Sequence, residues 1–128
     1  MNSIENNFVP YQIALDMKSI GFDEPCFNYY GKNNKLPHQL DCMFGYRAHF
    51  NKNFCLAPLY QQAFRWFREK HGLISYIHPL ALLDDDGLWC YEITDFSNNW
   101  DESSNIHSHE EAQLECLKKL IEICKKKE

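Results

Sequence analysis

Apolar residues recur along this chain with two periods, and each period predicts elements. Helical spacing first appears over residues 9–20, where Val9, Ile13, Met17 and Ile20 share one face and Asp16, Lys18 and Ser19 lie off it. Gly21 suits the cap of that helix, and Phe22 follows, positioned to pack back. The strongest helical stretch is residues 57–72. Leu59, Ala63, Trp66 and Lys70 form one row, and Tyr60, Phe64, Phe67 and His71 the next, which leaves Gln61, Arg65, Arg68 and Glu69 for water. Pro58 suits the first helical position and Gly72 the position just past the end. Arg68, Lys70 and His71 fall in the last turn, where positive charge opposes the helix dipole. A third helix opens on the capping box from Ser108 to Glu111 and runs to about residue 126. Leu114, Leu117, Ile121 and Cys124 make its apolar face, widened by Leu120.

Alternation of period two predicts strands. Residues 26–30 read as one, ended by a polar hairpin loop over 31–35. Over residues 39–54 two runs alternate, Leu40, Cys42, Phe44 and Tyr46, Ala48, Phe50, giving two short strands or one strand bulged at Gly45. The clearest sheet signal is the pair 73–83 and 88–96, joined by Asp84, Asp85, Asp86 and Gly87 as a tight hairpin turn. Pro79 lacks a ladder donor and points to an edge position or a bulge. Trp89, Tyr91 and Ile93 share one face of the second strand, and Leu88, Cys90, Glu92 and Thr94 the other. Neither face is cleanly polar, so the second face is expected to be at least partly covered, for instance by another subunit. Residues 97–107 read as a polar linker carrying Trp100. The expected fold is α+β: an antiparallel sheet of about four strands with three helices, in the order α-β-β-α-β-β-α, with helices mainly on one side of the sheet. Residues 1–8 read as a flexible leader, and 9–127 as a single α+β domain.

At 128 residues the chain is long enough for a core without disulfide or metal staples. Its aromatic content of 15% is high and leaves aromatic surface over for a partner. A net charge of -5 gives no general attraction to nucleic acid or anionic membranes. No apolar run is long enough to span a bilayer, so no membrane partner is expected. The polar start of the chain lacks the basic-then-apolar order of a signal peptide, and a cytoplasmic location is expected. The six cysteines (Cys26, Cys42, Cys55, Cys90, Cys116, Cys124) form no CxxC pair, and most sit among apolar neighbours, as buried structural thiols do.

Candidate chemistry is sparse. His107 and His109, with Asp101, Glu102 and Glu110 nearby, are the one cluster with metal-ligand character. Capping by Ser108 puts His109 on the helix and breaks the extended geometry a site would need, so no cofactor or metal is expected. For thiol catalysis, Cys55 before the central helix is the best-placed nucleophile, with His49 or His78 as its base; a small buried thiol explains it more simply. Asp84, Asp85 and Asp86 read as solvated turn residues, and no glycine-rich phosphate loop is present. Lys118, Lys119, Lys125, Lys126, Lys127, Arg65 and Arg68 are candidates for nucleic-acid contact, beside an aromatic platform of Tyr29, Tyr30, Trp89 and Tyr91. Lysines near a helix C-terminus are already explained by its dipole, and nucleic acid is not favoured.

The run from Ala57 to Gln62, then Trp66 to His71, then the hairpin at Asp86 and Gly87 with its aromatic strand resembles a set of small proteins of unassigned function. These are carried by bacterial prophages and mobile elements, especially in gut Bacteroides-type bacteria. The resemblance covers about residues 9–125, implies fold and phage-related setting, and brings no catalytic residues. The leading functional reading is a non-enzymatic binding or interaction module, self-associating as a homodimer or engaging another protein. Its candidate surface is Tyr29, Tyr30, Trp89 and Tyr91. A small enzyme using a Cys/His or His/acid pair, and a nucleic-acid-binding domain, are the alternatives.

Overall fold

The computed structural model describes residues 5–31, 55–79, 87–97 and 100–127. The chain divides into two compact units, Met1–Ala63 and Phe64–Glu128, with the boundary inside a helix. The strands expected within 39–54, the loop from residue 32 on, and Asp84, Asp85 and Asp86 lie outside the described residues.

In the first unit, helix α1 (Tyr11–Ser19) buries Ile13, Ala14 and Met17 on the expected face, flanked by buried Val9 and Ile20. It ends as its sequence predicts. Gly21 takes φ +103°, its N–H donates to the Lys18 carbonyl (3.1 Å), and the Phe22 N–H donates to the Met17 carbonyl (3.0 Å). This is the paired closure that satisfies free carbonyls at a helix end, and Phe22 and Met17, the two residues it joins, are both buried. Strand β1 (Asn28–Tyr30) pairs antiparallel with β2 (Cys55–Ala57), which packs against α1. The leader expected over residues 1–8 contains a 3₁₀ turn (Glu5–Asn7) and buried Phe8, which bridges Leu59.

The central helix α2 (Tyr60–His71) starts two residues later than Pro58 suggests. The Pro58 carbonyl accepts from the Val9 N–H (2.8 Å) and Leu59 bridges Phe8, so both residues are held extended. The Leu59 carbonyl then accepts the first helical bond, from Ala63 (2.9 Å), which makes Leu59 the cap. Ala63, Trp66 and Phe67 are buried, while Gln61, Arg65, Arg68 and Glu69 face solvent as expected. Lys70 is also exposed, so the apolar stripe is narrower at this end. Gly72 closes the helix at φ +65°, where an L side chain would be strained.

The second unit is built on a three-stranded antiparallel sheet in the order β3-β4-β5. Strand β3 (Ile74–Pro79) and β4 (Trp89–Thr94) are the expected hairpin, and Pro79 lies on the outer strand, where its missing donor is tolerated. Strand β5 (Trp100–Ile106) replaces the expected polar linker. It pairs with β4 through a bulge, two residues of β5 facing Cys90 between the Trp89↔Ile106 and Tyr91↔Ser103 pairs. Asn105 takes φ +64° there, a backbone region that asparagine tolerates better than most residues. Helix α3 (His109–Lys127) is capped by Ser108, whose hydroxyl accepts from the Glu111 N–H (3.1 Å). Its buried face is Ala112, Cys116, Leu117, Leu120, Ile121 and Cys124, with Leu114 only half-buried at the margin.

The α+β class and the order α-β-β-α-β-β-α are as predicted, with β5 added and the strands divided between two sheets rather than joined in one.

Candidate functional site

Register decides which residues of the three-stranded sheet meet, because directly paired residues share a face. One face carries Ser75, Ile77, Tyr91, Ile93, Asp101 and Ser103. Helix α3 covers it. The Ser75 side chain hydrogen-bonds the Cys116 thiol, Lys119 Nζ lies 3.6 Å from Asp101 Oδ2, and Trp89 packs edge-on against His109 with centroids 4.9 Å apart. Burial on this face pushes Cys116 and Tyr91 each up to about 12; for Tyr91 the Cys116 thiol and nearby carboxylates add to the effect.

The opposite face carries Ile74, Tyr76 and His78 on β3, Cys90, Glu92 and Thr94 on β4, and Glu102 on β5. It is open: Tyr76 is 52% exposed, the His78 side chain 46%, and Glu102 is exposed. Beyond β4, the Asp95 carboxylate accepts from the Ser97 N–H (2.8 Å) and turns the chain away. Phe96 sits on that turn, 82% exposed, with its ring edge beside Gly72, two residues before Ile74.

His78 brings together the one thiol–imidazole pair among the described hydrogen bonds. Its Nε2 is 3.1 Å from Cys90 Sγ and 3.7 Å from Glu92 Oε2, and its Nδ1 is 3.2 Å from the Pro79 carbonyl. His78 Nδ1 also lies 3.4 Å from Cys90 Sγ, so both ring nitrogens approach the thiol. Burial, then Glu92 and Glu102, push the Cys90 thiol up, whereas a nucleophilic cysteine needs the thiolate favoured. The arrangement is a thiol beside a histidine on a sheet surface, and the raised thiol favours its protonated form over the nucleophilic one.

The other sequence candidates divide between surface and core. Tyr29 and Tyr30 lie in the β1-β2 sheet, and Trp89 and Tyr91 in the three-stranded sheet. Tyr30 is a core residue, its hydroxyl donating to the Val9 carbonyl (2.6 Å) and its ring packed edge-on to Tyr11. Tyr91 is buried under α3, and Trp89 and Tyr29 are half-buried. Among the residues whose burial is described, the exposed aromatics of the second unit are Tyr76 and Phe96 instead. The strand position of Tyr76 is legible in the sequence; the side that α3 covers is not.

Cys55 is a buried strand residue pushed up to about 11 by burial, its thiol directed at the Leu56 carbonyl, and His49 lies outside the described residues. His109 begins α3, as the cap predicts, and His107 is exposed. No group of three metal-ligating side chains occurs among the described residues. Lys118, Lys119 and Lys126 are engaged by Glu115, Asp101 and Glu122. No helix among the described residues is long and apolar enough to cross a membrane. The chain matches no protein-family model, no curated protein and no solved structure.

Proposed function

We propose that the protein is a small non-enzymatic binding module that holds a protein partner against the open face of its three-stranded sheet. The observation that carries this reading is the exposure of Tyr76 and Phe96 at that sheet, with half-buried Ile74 between their positions. Exposed aromatic surface is unfavourable to hydrate, and contiguous apolar patches mark interaction sites. Raised pKa values at Cys26, Cys55, Cys90 and Cys116 favour structural thiols over reactive ones.

Titration with Nile red, an uncharged dye that brightens on apolar surface, tests the reading. The native protein should enhance its fluorescence, and a Tyr76→Ser/Phe96→Ser double variant of unchanged thermal midpoint should lose most of that signal. No enhancement by the native protein, or the same enhancement by the variant, removes the reading.

A further inference from the structure

We propose that the occupant of the open sheet face is a cationic polypeptide segment, one that sets Lys or Arg beside apolar side chains. The inference rests on the binding-module reading and adds the chemistry of the partner.

Charge is unevenly spread along the chain. From residue 72 to residue 117 there are ten Asp and Glu residues and no Lys or Arg. All three strands of the sheet fall inside that stretch. On the open face the acids are placed by register: Tyr76 pairs Glu92, and Glu92 pairs Glu102, so one row across three strands runs aromatic, carboxylate, carboxylate. A Lys or Arg side chain needs both parts. Its stem and charge lie over a ring face, and its head group meets carboxylate oxygens. Ile74 and Phe96, on the side of this row away from His78, offer apolar contact to the residues flanking such a cation. His78 is the one side chain on these strands that can carry positive charge. Lys119 reaches Asp101 on the α3 side of the sheet, not this one.

The same charges disfavour other occupants. A second copy docked face to face with its two-fold axis through this row would bring the two sets of carboxylates together. Nucleic acid would meet carboxylates with its phosphates.

Fluorescence anisotropy with a labelled, end-blocked octapeptide alternating lysine and leucine tests the inference, with glutamate-leucine and serine-leucine peptides for comparison. The lysine-leucine peptide should bind, several-fold more weakly at physiological than at low salt, and the glutamate-leucine peptide should not. Glu92→Gln/Glu102→Gln should weaken binding about tenfold, as losing two surface ion pairs does. Glu110→Gln/Glu115→Gln, the same charge change on α3, should leave it nearly unchanged. Circular dichroism confirms that each variant is folded.

Equal weakening by both glutamine pairs would mean diffuse attraction to an acidic protein and overturn the inference. Serine-leucine binding as tight as lysine-leucine, and lost in Tyr76→Ser/Phe96→Ser, would overturn the cationic partner while keeping the binding face. A dimer in light scattering that the same double variant dissociates would give the face to a second copy, with the same consequence. If no peptide binds and the Nile red signal is also absent, the inference and the reading beneath it fall together.

Discussion

The two faces of the three-stranded sheet are made from the same strands, by the same alternation, and have opposite environments. Toward α3 lie Tyr91 and Ile93, both buried, with Ser75 bonded to Cys116. Away from it lie Tyr76, Glu92 and Glu102, with His78 resting on Cys90. Apolar and polar residues occur on both, so composition does not separate them. Satisfaction does: on the covered face Ser75 and Asp101 have partners on α3, whereas on the open face Tyr76 is left half in water. A mixed face can therefore be core or surface according to whether a helix supplies its complement.

The largest effect should come from cutting into the covered face. Ile93→Ala removes a fully buried side chain and should cost about 3 kcal/mol in urea unfolding. Tyr76→Ala, on the same sheet but facing outward, should cost less than about 1 kcal/mol. Comparable losses would mean that the open face is packed, and the contrast would collapse.

Alkaline pH provides the next separation. Cys116 and Tyr91 stay neutral in the folded state, with values pushed to about 12 from ordinary values of 9.0 and 10.0. The unfolded chain ionises at the ordinary values. Their contribution is therefore complete below pH 9 and is lost as pH rises from there toward 12. At pH 10 the Cys116 part should amount to roughly 1 to 2 kcal/mol. Urea midpoints measured between pH 7 and pH 10 should fall, and Cys116→Ala should flatten the slope. A slope unchanged by that substitution would put the alkaline sensitivity elsewhere.

What could be read from the chain follows the same division. The helices and the hairpin announced themselves, since Gly21 and Gly72 take the left-handed conformations their positions predict and Ser108 caps as expected. Strand β5 did not. Its Asp101-Glu102-Ser103-Ser104-Asn105 run has low strand propensity and no apolar alternation, and pairing with β4 supplies what the side chains do not. The site was half legible. Parity correctly groups Trp89 with Tyr91 and Ile93, but parity says nothing about which side a helix beginning at His109 will cover. The sequence therefore offers Trp89 and Tyr91 as a platform, and the structure puts Tyr76 on the open face instead.

Smaller effects test how α3 holds its face. Ser108→Ala removes the acceptor for the Glu111 N–H and should cost about 1 kcal/mol. Its signature should be faster hydrogen exchange confined to the first turn of α3. Loss spread over the whole sheet would mean that the cap also sets the helix against the strands.

The smallest expected effect concerns the ion pair joining α3 to β5. Lys119 Nζ lies 3.6 Å from Asp101 Oδ2 and also 3.6 Å from Glu122 Oε2, with Asp101 well exposed. A cation shared between two solvated carboxylates gives little to either, and Lys126 lies closer to Glu122, at 3.0 Å. Lys119→Met keeps an unbranched apolar stem and removes the charge. It should cost less than about 1 kcal/mol at low salt and nothing measurable in high salt, where exposed pairs are screened. A loss that survives high salt would mean that the pair is dry, and that α3 is fixed to the sheet by charge as well as by the apolar row from Ala112 to Cys124.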